Sequence, residues 1–258
     1  MSLDFDSARL HNPHLTPDHE SWRTQLRKFL DREIAPFIDE WDENAKIPDE
    51  LWAKAAEIGL LQVGYPEAYG GISEGIDQHY VNITGEELGR IGSAGGIAST
   101  LLIHGIGLPP VVNFCSEEIK EQVIPAVLAG EKRISLGITE PSGGSDVANV
   151  KTTAKKEGDF YIVNGSKTFI SGGMGANWVS TAVRTGGEGA AGVSMLLIPM
   201  DLEGVSRTPI KKKQGWLCSD TATLYFDHVK VPIKYLIGKE GQGFRVIMNN
   251  FNSERLAM

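Results

Sequence analysis

The chain has 258 residues, 41% of them hydrophobic, so it can bury most of the surface that its unfolded form exposes. A formal net charge of -8 argues against nucleic acid or an anionic membrane surface as a partner, and no window approaches the roughly 20 apolar residues of a membrane span. The two cysteines show no disulfide spacing, and the six histidines show no metal-ligand clustering apart from HNPH at 11–14, which is interpreted as a surface pair. The acidic start resembles no leader, and the sequence predicts a cytoplasmic globular protein without a metal.

Helical spacing of apolar residues is typical of the first half of the chain. Thr16 and Pro17 form an N-cap followed by a first-turn proline, and apolar residues then recur every three or four positions until Pro36. Further helices are predicted over residues 51–60, 77–91 and 93–106, and from a cap at Ser116 to Gly130. The pattern predicts an all-α N-terminal domain over residues 1–133.

From residue 134 to residue 240, β-prone runs alternate with glycine-rich or charged turns. Strands are predicted at 178–184, 193–199 and 222–232, and Asn164-Gly165 is predicted to form a type I′ hairpin turn. Short strands at this spacing favour an antiparallel β-barrel or sandwich as the middle domain. The fold class predicted for the chain is therefore α+β and multidomain.

The last segment, residues 241–258, reads as one helix with an apolar face. Phe244, Ile247, Met248 and Phe251 recur at helical spacing, and no helix-ending signal precedes the last residue. We therefore expect the chain to be cut within this helix. Its apolar face needs a partner surface, which predicts a homo-oligomer.

Two segments stand out as a candidate binding site. In LGITEPSGGSDVANV, residues 136–150, a strand runs into glycines and hydroxyls, and exposed backbone amides of this kind form acceptor-binding nests. In KTFISGG, Phe169 and Ser171 stand two residues apart and are predicted to face the same side of a strand. An aromatic wall beside hydroxyls and amides suits a flat, heteroatom-rich ring. The alternatives are an ordinary glycine-rich turn and a Phe169 buried in the barrel core.

Four motifs in family order resemble acyl-CoA dehydrogenases over essentially the whole chain. GITEPSGGSD resembles the TEP-x-x-GSD signature, and NGSKTFISGG resembles the second flavin segment, closest to the long-chain branch. CSDTATLYFDHVKVP resembles the end of the β domain, and FNSERLAM resembles the start of the C-terminal helical domain. The resemblance therefore implies that residues 241–258 are the first helix of an incomplete C-terminal helical domain. One departure is Asn149, which stands where the signature usually ends with a small residue.

The resemblance implies FAD as the cofactor and α,β-dehydrogenation of an acyl-CoA, with electrons passed to an electron-transferring flavoprotein and a homotetramer as the assembly. The FAD contacts that it implies are Leu136, Ile138, Thr139, Gly144, Ser145, Phe169, Ile170 and Ser171. The substrate contacts that it implies are Ser145, Arg245, Asn252, Ser253, Glu254 and Arg255. Glu254 is the implied catalytic base, because the long-chain and isovaleryl branches carry theirs in the run x-x-Glu-Arg-Leu.

Several alternatives stay open at this point. In one alternative, Glu254 is a surface acid paired with an arginine, and the catalytic base lies in a C-terminal domain beyond the chain. The alternative functions are those of an acyl-CoA oxidase, a flavin-dependent monooxygenase or a non-enzymatic binding module, and a further alternative is an inactive fragment. The small residues Gly95, Gly96, Ala98 and Ser99 either leave room for the end of an acyl chain or pack closely between elements.

Overall fold

The computed structural model describes residues 9–92 and 95–257, with side chains through residue 251. Its first half is helical, with α1 (Pro17–Glu33), α2 (Ile38–Glu43), α3 (Glu50–Glu57), α4 (Gln78–Arg90), α5 (Gly95–Leu101), α6 (His104–Gly107), α7 (Pro109–Phe114) and α8 (Glu117–Leu128). The predicted helical N-terminal region is confirmed. Thr16 caps α1 as expected, and its partner in the reciprocal capping box is His19, whose ring nitrogen accepts the Thr16 N–H.

The predicted helix over 93–106 is interrupted, and its first two residues lie outside the described part of the chain. The break between α5 and α6 turns the buried His104 inward, where its ring meets the carbonyl oxygen of Leu61 at 3.1 Å. Among the described residues, no single helix is long and apolar enough to cross a bilayer. Helix α5 passes that test only together with His104–Phe114, at a bend of 46°.

Helices α1 and α4 pack against each other around a buried acid. The Glu87 carboxylate accepts hydrogen bonds from Arg23 at 3.1 Å, from Arg27 at 2.8 Å and from Arg90 at 3.1 Å. Burial raises the pKa of Glu87, but the arginine hydrogen bonds outweigh it and hold this pKa below its ordinary value. The cluster ties the two longest helices of the N-terminal region together.

The second half forms one mixed sheet. Its strands are β1 (Ile134–Gly137), β2 (Thr153–Glu157), β3 (Phe160–Ser171), β4 (Trp178–Arg184), β5 (Val193–Pro199), β6 (Val205–Pro209), β7 (Thr221–Pro232) and β8 (Leu236–Ile237). The order is β6-β7-β3-β2-β4-β5-β8, with β1 beside β4. Strand β4 runs parallel to β1 and to β2, since the chain between them is long enough to return in the same direction. No described strand pairs β6 with β8, so the sheet is not the closed antiparallel barrel that was one predicted arrangement.

The type I′ turn predicted at Asn164-Gly165 is wrong. Strand β3 runs through both residues, and the hairpin turn to β2 is Gly158-Asp159. Gly165 has φ +144° at a register shift in the pairing with β7, and a Cβ there would lie 2.7 Å from Thr152 Cα. A β-bulge needs the same conformational freedom as a tight turn, which explains why the dipeptide misled the prediction.

Helix α5 packs directly against the loop that precedes β7. A Cβ on Gly95 would lie 2.4 Å from the Trp216 indole, and one on Gly96 would lie 2.7 Å from Cys218 Sγ. These glycines therefore allow close packing between helix and loop, and the space beside them is filled by protein. Two interpretations of the small residues in α5 were open, and for Gly95 and Gly96 close packing is the one that holds.

Helix α9 (Gly243–Ala257) ends the described chain and packs on the sheet region. Val246 and Ile247 are buried, while Phe244, Met248 and Phe251 are partly buried against the same core. The apolar face predicted to need an outside partner thus contacts its own chain. Homotetramer formation and the domain limits at 133/134 and 240/241 stay predictions.

Candidate functional site

The two segments singled out in the sequence meet at the end of β3. The Thr168 N–H donates to the Thr139 carbonyl oxygen at 2.9 Å, and Ser135 Oγ donates to the Ser171 carbonyl oxygen at 2.8 Å. The first segment leaves β1 and the second ends β3, so the fold joins residues about 30 positions apart. The two joined segments carry the predicted site residues Leu136, Ile138, Thr139, Gly144, Ser145, Phe169, Ile170 and Ser171.

Phe169 has an unusual backbone and an exposed ring. Its φ is +58°, in the left-handed region, at a second register shift between Lys167 and Ile170. The residue is 67% exposed, which excludes the alternative of a buried core position. The Ile170 side chain lies in the core instead, so only its backbone is available to a ligand. A strained residue held in place with its ring exposed is typical of a functional site.

Three predicted hydroxyls are available to a ligand. Within the described residues, the side-chain hydroxyls of Thr139, Ser145 and Ser171 have no hydrogen-bond partner in the protein. A Cβ on Gly144 would lie 3.0 Å from Thr139 Cγ2 and 3.2 Å from Thr139 Oγ1. Glycine at 144 therefore lets the loop backbone pass close under Thr139. The donor set fits the heteroatom edges of a flat ring, with the Phe169 ring as its neighbour.

Sequence reasoning missed an ion pair behind this site. Lys167 Nζ donates to Glu140 Oε1 at 2.7 Å, and both side chains are buried. Burial lowers the pKa of Lys167 to about 8. Burial also raises the pKa of Glu140, but the Lys167 charge outweighs this and brings it to about 2. The signal in the sequence was a lysine between β-prone residues, where an inward-facing charge needs a partner.

Asp220 and Arg207 hold the loop that follows Ser171, and the sequence analysis missed both. The Asp220 carboxylate accepts the N–H groups of Met174 and Gly175, each at 3.0 Å. Arg207 donates to the Met174 carbonyl oxygen at 2.7 Å. Burial raises the pKa of Asp220. The backbone after the second segment is therefore fixed from both its amide and its carbonyl sides.

The predicted substrate residues on α9 are only partly placed. Arg245 is exposed on the first turn of the helix. The side chains of Asn252, Ser253, Glu254 and Arg255 lie outside the described residues, although their backbone belongs to α9. Gly243 starts the helix against β5, where a Cβ would lie 2.4 Å from the Ser194 carbonyl carbon.

The described residues form an α+β protein in which a helical region packs on a mixed sheet, and a glycine-and-hydroxyl cradle lies beside an exposed aromatic ring. Sequence models of the acyl-CoA dehydrogenase N-terminal domain and middle domain match residues 16–131 and 135–229. The chain therefore belongs to the acyl-CoA dehydrogenase family. The resemblance drawn from the four motifs is confirmed.

Relatives and solved structures agree with this assignment. The structure of a probable acyl-CoA dehydrogenase from Mycobacterium abscessus is 44% identical, with a TM-score of 0.88 over 94% of this chain and 64% of that one. The long-chain specific acyl-CoA dehydrogenase of Rattus norvegicus is 35% identical over 93% of this chain and 55% of its own length. A glutaryl-CoA dehydrogenase from Mycobacterium smegmatis in complex with FADH2 is 26% identical, with a TM-score of 0.86 over 98% of this chain and 62% of that one. The chain spans 55% of the length of the R. norvegicus relative and 64% of the length of an acyl-CoA dehydrogenase from Bacillus subtilis.

Proposed function

We propose that the protein binds FAD and oxidises the α–β bond of an acyl-CoA thioester to the trans-2-enoyl thioester. The observation that carries this proposal is the meeting of two segments whose hydroxyls have no protein partner, next to the exposed ring of Phe169. Membership of the acyl-CoA dehydrogenase family supports it. So does the M. smegmatis relative, which was solved with FADH2.

The chain's own groups supply the binding and orientation of the cofactor. Thr139 and Ser171 offer hydroxyl donors to the heteroatoms of the flavin, and Phe169 offers a ring face or edge. Gly144 leaves room for the loop backbone to approach. The chemistry that FAD would supply when bound is acceptance of a hydride from the β carbon of the substrate. Donors fixed in advance around a ring raise its electron affinity without reorganising during the reaction.

The substrate is proposed to lie between the glycine-rich loop and α9. Ser145 contacts the pantetheine arm, and Arg245 with residues 252–255 lines the thioester, as the family resemblance implies. The Glu254 carboxylate takes the α proton while the β hydride leaves, so that proton and hydride depart from neighbouring carbons. A carboxylate in a site emptied of water becomes a stronger base, because desolvation disfavours its charge.

The proposals for the electron acceptor and for the oligomeric state are also based on membership of the family. We infer that an electron-transferring flavoprotein reoxidises the flavin and that the native protein is a homotetramer. We keep the division into residues 1–133, 134–240 and 241–258 as the domain proposal, which agrees with the change from helices to strands between α8 and β1.

The experiment is a visible spectrum of the purified protein, followed by anaerobic titration with acyl-CoAs of increasing chain length. We expect flavin absorbance and its bleaching by at least one acyl-CoA. A colourless protein that releases no flavin on denaturation contradicts the FAD proposal. Stopped-flow reoxidation in air separates the acceptors, since fast reaction of the reduced flavin with oxygen indicates an oxidase or a monooxygenase instead.

A further inference from the structure

A fully buried lysine lies behind the candidate flavin site. The Lys167 side chain is 0% exposed, and its Nζ donates to Glu140 Oε1 at 2.7 Å and to the Ile138 carbonyl oxygen at 3.2 Å. Glu140 is the one charged group within hydrogen-bonding distance of this Nζ among the described residues. One side chain of β3 therefore holds both a carbonyl and a carboxylate of the glycine-rich segment.

Glu140 extends this network to a third segment. Its Oε1 also accepts the Thr152 N–H at 2.8 Å, and its Oε2 accepts the Lys151 N–H at 2.6 Å. The far end of the glycine-rich loop, just before β2, is thus fixed to the same carboxylate that pairs with β3. The loop is closed at both ends on one ion pair whose polar atoms are well satisfied.

The ion pair is adjacent in sequence to the residues that face the ligand. Glu140 follows Thr139, and Lys167 stands two residues before Phe169. Between them, the Thr168 N–H donates to the Thr139 carbonyl oxygen at 2.9 Å. A left-handed phenylalanine persists only where its surroundings hold it, and here a strand is pinned to the loop immediately before the strained residue.

Buried ion pairs seldom add much stability over apolar side chains of the same size, because desolvation offsets their attraction. What this pair provides is geometry. We propose that Lys167 and Glu140 are positioning residues of the flavin site, which hold Thr139 and Phe169 at the spacing that the flavin requires. The proposal deepens the proposed function and rests on it.

The test compares Lys167→Met, Glu140→Gln, the double variant and Glu140→Asp with the wild-type holoprotein. Lys155→Met is the matched control, since Lys155 forms an exposed pair with Glu157 on the same sheet. Three quantities are measured for each protein: the Kd for FAD, the visible circular dichroism of the bound flavin, and the unfolding midpoint of the apoprotein. The first two report site geometry, and the third reports the fold.

We expect Lys167→Met to lower both the unfolding midpoint and FAD affinity, because it leaves a buried carboxylate unpaired. The double variant should regain most of the unfolding midpoint, yet bind FAD at least ~10-fold more weakly and with an altered flavin dichroism. Glu140→Asp keeps both charges but shortens the acid, and it should weaken FAD binding in the same way even if the double variant does not fold. The control should match wild type in all three measurements.

Wild-type FAD affinity and dichroism in the folded double variant, or in Glu140→Asp, would overturn the positioning role. That result differs from failure of the proposed function, in which the wild-type protein itself holds no flavin. A loss of affinity that tracks the unfolding midpoint alone across all variants would likewise show that the pair serves only the fold.

Discussion

Replacing Phe169 with glycine should change flavin binding and stability in opposite directions. Phe169 is 67% exposed. For an aromatic side chain of about 200 Å², this leaves about 130 Å² for a flavin to cover, worth up to about 3 kcal/mol at 25 cal/mol per Å². Partial cover gives a loss of about 1–3 kcal/mol, which is about 5- to 150-fold in the Kd for FAD.

The same change should stabilise the apoprotein. Phe169 has φ +58°, a conformation that costs a residue with a Cβ about 1 kcal/mol and glycine almost nothing. Little packing is lost with a ring that is mostly exposed, while the more flexible unfolded chain offsets part of the gain. We therefore expect the apoprotein to unfold at an equal or slightly higher denaturant concentration, although it binds FAD less tightly.

Fluorescence titration with FAD and denaturant unfolding of the apoprotein measure the two effects. Phe160→Ala is the matched control, because Phe160 is a half-exposed phenylalanine at the other end of β3, and it should leave FAD binding unchanged. FAD binding by Phe169→Gly at wild-type strength would refute the ring contact. The strain at Phe169 is about 1 kcal/mol, so a loss of apoprotein stability of about that size or more would refute the strain argument.

Three further outcomes are expected. Gly144→Ala places a methyl group 3.0 Å from Thr139 Cγ2 and should weaken FAD binding by about 1 kcal/mol, seen by titration, with little change in unfolding. Glu254→Gln should leave FAD and acyl-CoA binding nearly intact and slow anaerobic flavin reduction by orders of magnitude; near-normal reduction would move the base elsewhere. Glu87 has a lowered folded pKa, so its stabilisation is fully present above the unfolded value of about 4.3 and is lost as the pH falls through the folded pKa. Glu87→Gln should lower the free energy of unfolding by about 3 kcal/mol at neutral pH. In urea unfolding at a series of pH values, the variant should also lose less stability than the wild type as the pH falls; an equal loss in both proteins would contradict this role of Glu87.

Local patterns were enough to place most elements. Strands 178–184 and 193–199 were predicted with the bounds that the structure has, because a run of β-branched and apolar residues between turns has no competing interpretation. Helix α8 began directly after its predicted cap at Ser116. The Asn164-Gly165 bulge was mistaken for a turn because the dipeptide indicates only that a positive φ is tolerated. It does not indicate which strand pairs with Gly165, and here that strand is β7.

The sequence by itself determined the family and the two segments of the candidate site, since motifs and local periodicity are properties of neighbouring residues. Only the tertiary structure decided how those segments are joined. The Lys167–Glu140 pair, the exposure of Phe169 and the contact of Gly95 with Trp216 all depend on residues far apart in the chain. Such contacts are set by strand register and helix packing, so no local pattern encodes them. The apolar face of α9 shows the same limit: periodicity identified the face, and the fold supplied the surface that covers it.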